Sequence, residues 1–123
     1  MAVSVVSQTY PTTRGTGQKE YTGLESAYQV VKASSGTVNY VKVDNTLNTS
    51  QAVYVKFYDD ATPVVGTDDQ YLMLRAGAGA TVSFVPMEGI AFATAISVLC
   101  VTAGGTDGTV SPANSVVVTV VYT

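Results

Sequence analysis

Two aspartate pairs, Asp59-Asp60 and Asp68-Asp69, flank one loop and, with Glu88, supply a group of hard oxygen donors. A calcium site is built from carboxylates of this kind. The Asp-x-Asp-x-Asp-Gly order of a dedicated calcium loop is absent. Loop aspartates also serve turns by bonding their own backbone two residues on, so turn chemistry is the expected role. General acid-base and nucleophilic catalysis most often recruits histidine beside an activated Ser, Cys or Lys. The chain has no histidine, and neither Gly-x-Ser-x-Gly nor Ser-x-x-Lys occurs, so no enzyme is predicted. Cys100 is the only cysteine, which excludes an intrachain disulfide and a thiolate cluster. Its apolar setting predicts a buried small hydrophobe. Gly15-Thr16-Gly17 and Ala76-Gly77-Ala78-Gly79 lack a phosphate-loop fingerprint and read as connections. No metal or other cofactor is expected.

Recognition chemistry is better represented. The chain carries eight tyrosines and no tryptophan. Tyr40, Tyr54 and Tyr58 fall on outward positions of two strands expected to be neighbours, an amphipathic aromatic patch that suits a protein interface or a carbohydrate platform. The lack of Trp and of recognisable polar ligands beside it favours the interface.

The elements that position these groups read as strands. From residue 25 onward, β-branched and aromatic runs alternate with Gly, Asn, Asp and Pro clusters, the pattern of short antiparallel strands joined by turns. About eight strands are predicted, near residues 27–33, 37–45, 51–58, 63–65, 70–75, 80–85, 90–102 (bent midway) and 115–122. One or two helical turns over 24–31 are the alternative for the first of these. Turn residues at 48–50, 59–63, 76–79 and 104–108 separate the strands. The fold class is therefore all-β, an antiparallel two-sheet β-sandwich, jelly-roll or immunoglobulin-like, over residues 24–123.

Side chains alternate across a strand, so Val53, Val55 and Phe57 should face the core and Tyr54, Lys56 and Tyr58 the other way. Val41, Val43, Leu72, Leu74, Val82, Phe84, Ile90 and Phe92 complete the expected core. The runs at 96–101 and 115–122 are apolar on both faces, which predicts a covered outer face. The cover is either the chain's own N-terminal segment or another subunit. Residues 1–23 read as an N-terminal arm, either a disordered tail or a segment whose residues 3–6 add a strand to a neighbouring subunit.

Composition bounds the partners. Of 123 residues, 46% are hydrophobic and 12% charged, about half the charged share of an ordinary soluble domain. A surface so poor in charge predicts burial within an assembly. The net charge of −3 and six scattered cations argue against nucleic-acid binding. The sequence shows neither a signal-peptide pattern nor an apolar run of membrane-spanning length, so cytoplasmic synthesis without membrane insertion is expected. The expected interface residues are Val3, Val5, Val6, Tyr40, Tyr54, Tyr58, Leu99, Val117 and Val121.

Residues 36–102 carry a recurrent set of short motifs. They are Gly36-Thr37-Val38-Asn39-Tyr40, Val43-Asp44-Asn45-Thr46, Ala52-Val53-Tyr54-Val55-Lys56-Phe57-Tyr58-Asp59, Val82-Ser83-Phe84 and Gly89-Ile90-Ala91-Phe92-Ala93-Thr94-Ala95-Ile96. This pattern resembles small β-sandwich structural proteins of tailed phages. The resemblance implies a non-catalytic virion protein, a capsid cement or decoration protein or else a head-tail or tail component. Its expected partners are copies of itself, with a trimer favoured, and a major capsid protein or other virion subunits. A carbohydrate-binding or host-recognition module of a tail or fibre is the alternative.

Overall fold

The structure is a computed structural model that describes residues 2–9 and 17–123. Ten strands are present among these: β1 (Ser4–Thr9), β2 (Gly17–Thr22), β3 (Gln29–Lys32), β4 (Gly36–Asp44), β5 (Val53–Tyr58), β6 (Leu72–Ala76), β7 (Thr81–Phe84), β8 (Ile90–Phe92), β9 (Ile96–Val101) and β10 (Val117–Tyr122). They form two antiparallel sheets, as expected of a β-sandwich. The larger runs β1-β2-β10-β4-β7, with β8 also paired to β4, and the smaller runs β3-β9-β5-β6.

The core follows from alternation. Val41 and Val43 of β4, Val118 and Val120 of β10, Val53, Val55 and Phe57 of β5, and Ile96, Val98 and Cys100 of β9 are buried in one cluster between the sheets. Each fully buried aliphatic or aromatic side chain contributes about 1.5 to 3 kcal/mol, and such burial is the main force holding the layers together. Most connections cross from one sheet to the other, so the layers are interlaced along the chain.

The observed elements differ from the sequence expectation at four places. Residues 63–65 are a turn region rather than a weak strand, and residues 24–28 are not helical. The run expected as one bent strand over 90–102 is two strands in different sheets, because the chain changes layer at residues 93–95. The backbone N–H groups of Ala93, Thr94 and Ala95 turn onto the Asp59 carboxylate, at 3.1, 2.7 and 3.2 Å. Three donors aimed at one carboxylate cannot also serve a strand ladder, so pairing stops there.

The fourth difference concerns the arm expected over residues 1–23. Residues 17–22 are β2, paired with both β1 and β10 inside the larger sheet. Tyr21 and the adjoining Leu24 lie in the core. The inward positions of β2 are Gly17, Lys19 and Tyr21, a mostly polar set that hides the strand from a hydrophobicity pattern. Lys19 lies half-buried, its Nζ donating to the Val31 carbonyl at 2.8 Å and resting 6.0 Å from the Tyr122 ring centre. Part of the arm expectation, residues 10–16, lies outside the described residues.

Candidate functional site

The two outer faces of the sandwich differ in what covers them. On the smaller sheet, every residue of β9 is buried, and Leu99 and Val101 pack with Tyr58, Tyr54, Tyr28 and Val65. The cover is the chain's own loops. Thr102 N donates to the Val110 carbonyl at 2.9 Å, and Cys100 N donates to the Glu25 carbonyl at 2.9 Å. Ser26 N donates to Ser111 Oγ at 3.0 Å. Beneath the loop that follows β9, Lys56 is fully buried, its Nζ donating to the Gly105 carbonyl and, at 3.4 Å, to that of Gly108. Burial pulls the Lys56 ammonium below its usual range, and the Asp107 carboxylate opposes that.

Leu99 and Tyr58 are therefore interior residues, 0% and 1% exposed, and not the interface residues expected of them. The physical reason is loop cover, which strand alternation does not report. Tyr54 is half-buried in the same cluster. Tyr40 lies on β4, in the other sheet, so the three tyrosines do not form one patch. The segment between β4 and β5 passes between the layers and carries them to opposite sides of the sandwich.

The outer face of the larger sheet has a different character. Cross-strand register gives three rows: Ser4, Thr22, Val117, Asp44 and Thr81; Val6, Glu20, Thr119, Lys42 and Ser83; and Gln18, Val121 and Tyr40. Val117 and Val121 are half-buried within it, and the Tyr40 hydroxyl lies 3.2 Å from Ser83 Oγ. Val121 and Tyr40 are direct neighbours, so this pair of expected interface residues is brought together.

At one end of the larger sheet, β1 pairs only with β2 and leaves its other backbone edge unpaired among the described residues. Its sequence, Ser-Val-Val-Ser-Gln-Thr, contains no charge and no proline, and its register with β2 runs without a bulge. Charges, prolines and bulges are the devices by which edge strands usually avoid pairing with other chains, and β1 has none of them. Val6 points outward and is 61% exposed. Val5 stands opposite core residue Tyr21, on the inward side, and is still 44% exposed. The smaller sheet ends at β3, which Lys19 of β2 already reaches, so β1 overhangs it. Val3 packs against the margin of the core.

The acidic residues do turn chemistry. Asp59 caps residues 93–95, Asp60 Oδ1 accepts Thr62 N at 2.8 Å, and Asp68 Oδ2 accepts Val64 N at 2.9 Å. Asp69 Oδ1 accepts Thr106 Oγ at 2.8 Å. Glu88 is exposed in the turn before β8, and no group of three or more His, Cys, Asp or Glu among the described residues converges as metal ligands would. Cys100 is fully buried in the core, where burial pushes its thiol up to about 12. Thiolate chemistry at neutral pH is thereby suppressed.

The β1 edge was missed as a site within the chain's own sheet because its partner β2 was hidden. The uncharged run Val3-Ser4-Val5-Val6 is legible as a strand-forming segment, but the expectation paired it with a neighbouring subunit, whereas one side of it pairs with the chain's own β2. Comparison with protein-family models, with curated proteins and with solved structures returned no match.

Proposed function

We propose that this chain is a non-catalytic structural subunit of a phage virion, a cement or decoration protein that strengthens a shell through contacts with copies of itself, as a trimer, and with the major capsid protein. The observation that carries the assembly reading is the overhanging edge strand β1, uncharged, unbulged and unpaired on one side. An edge of this kind has main-chain donors and acceptors ready for another strand, and Val5 and Val6 on its two faces supply apolar surface for the joint. A chain with 12% charged residues gains from having such surface covered. The virion assignment rests on the motif resemblance over residues 36–102. The carbohydrate alternative loses its platform, since Tyr58 is interior and Tyr40 stands on the opposite side from Tyr54.

Light scattering on the purified chain tests the assembly step. The wild type is expected to be oligomeric and Val6→Lys monomeric, with the thermal midpoint of each followed in parallel. A wild-type monomer at high concentration overturns the reading, as does an oligomer that Val6→Lys leaves intact. Capture of the wild type, and not of Val6→Lys, by assembled phage shells tests the virion step.

A further inference from the structure

We propose that the cleft beside the β5–β6 connection is a pocket for a guanidinium group, and that its occupant is an arginine side chain presented by a basic partner protein. The cleft, about 410 Å³, opens where β5 ends at Tyr58 and the chain loops back to β6. Asp60, Asp68, Asp69, Gln70, Tyr58 and Tyr71 line it, with no Lys or Arg among its lining residues.

Two polar atoms in this lining have no protein partner. The Tyr58 hydroxyl is buried on a side chain only 1% exposed and makes no hydrogen bond, and the Gln70 Oε1 is likewise buried and unpaired. A buried polar group left unsatisfied costs about 1 to 3 kcal/mol, so one that persists beside a cleft points to a group that enters and pairs with it. The carboxylates add to the demand. Asp60, Asp68 and Asp69 each commit one oxygen to a turn or to Thr106, and their second oxygens accept nothing from the described residues. Burial first, and the Asp68 carboxylate second, push the Tyr58 phenol upward.

The lining is thus rich in acceptors and negative charge and poor in donors. A guanidinium is the complementary group, with five donors, no acceptor, a fixed positive charge and a planar fork that meets carboxylates two bonds at a time. A sugar hydroxyl needs donors as well as acceptors, and this lining offers few. A divalent cation needs converging carboxylates, and no such group of three is present among the described residues. The half-exposed Tyr71 ring, braced at 4.9 Å against Phe92, adds an aromatic surface on which a guanidinium stacks. The source is a partner because the cleft's charge adds to a net charge of −3 on the chain, which draws a basic surface toward it.

The inference stands independently of the β1 edge. Titration of the full chain with N-acetyl-arginine methylamide, followed by amide chemical shifts, tests it. Saturable shifts confined to residues 58–71 and 106, with a millimolar dissociation constant that rises with salt, are expected. Asp68→Asn combined with Asp69→Asn keeps the turn acceptors, removes two charges and should weaken binding by about tenfold. Tyr58→Phe should weaken it severalfold while raising the thermal midpoint, because the orphaned hydroxyl is gone. Shifts that do not saturate, equal binding by the double variant, or tighter binding of calcium or of a neutral monosaccharide at the same residues would each overturn it. A chain that takes the arginine probe yet stays monomeric refutes the β1 reading and leaves this one standing.

Discussion

Single side chains close this sandwich at points where strand pairing gives out. Asp59 ends β5's strand and gathers three backbone N–H groups from the crossing between β8 and β9. The Thr94 N–H above all, with those of Ala93 and Ala95, holds its carboxyl below the usual carboxylate range. A carboxylate with a lower pKa folded than unfolded contributes stability that is complete above the unfolded value, about 3.9, and is lost as pH falls through the folded value. Asp59→Asn keeps a carbonyl oxygen but removes the charge. It should cost about 1 kcal/mol at pH 7, a figure kept low by the exposed setting. The deficit should shrink as pH falls below the ordinary carboxylate range, so urea midpoints of variant and wild type converge in acid. Parallel midpoint curves down to strong acid would count against this account. Gly89 shows the same economy, with a positive φ of 77° and a Cβ position that would strike the Thr37 methyl group. The Tyr-Asp, Asn-Thr and Gly-Ile-Ala-Phe motifs that carried the phage resemblance therefore include residues that terminate strands and switch sheets.

Among the elements, the turn between β4 and β5 illustrates what a pattern of strands leaves out. Asn45 and Asn48 are buried there, and Asn45 Nδ2 donates to the carbonyls of Gln51 at 2.9 Å and Gly77 at 3.0 Å. Asn48 Nδ2 donates to Asn45 Oδ1 at 2.8 Å, while Asn114 N donates to Asn48 Oδ1 at 3.0 Å. One amide pair thus fastens the β4–β5 turn to the β6–β7 turn and to the approach of β10. Asn45→Ala strands several of these groups at once and should lower stability by about 2 to 4 kcal/mol in urea unfolding. A loss under about 0.5 kcal/mol, the range of ordinary surface changes, would show that water replaces the amide freely. Alternation made Val53, Val55 and Phe57 legible as core, and they are. It placed Lys56 and Tyr58 on the opposite face correctly but could not say that the loop after β9 would seal that face, because loop cover depends on contacts about fifty residues apart. In the same way β2 escaped notice because Gly17 and Lys19 occupy two of its inward positions, and β8 merged with β9 because the signal that separates them sits on Asp59, in a different part of the chain. Of the candidate site, the apolar residues Val5 and Val6 were legible; their position on a free edge was not, since an edge is defined by the strand that is missing beside it.

For the whole molecule, these contacts imply a graded stability. β9 and β5 lie inside the smaller sheet with both faces covered, whereas β1 is held by one neighbour and overhangs the layer beneath it. The larger sheet also pairs β2 with β10, strands from opposite ends of the chain, so much of the native pairing forms only after long loops close. Hydrogen exchange should read this gradient residue by residue. Amides of β9 are expected to exchange only through global unfolding, with protection equal to the unfolding free energy from urea, and those of β1 through local opening at far lower cost. The assembly proposed through the β1 edge adds a second variable. Protection of β1 should then rise with protein concentration in the wild type and stay flat in Val6→Lys, while local protection elsewhere in the monomer fold changes little. If β1 exchanges at the same rate across a wide concentration range in both proteins, its free edge pairs with no second copy in solution, and the assembly proposed through β1 is overturned.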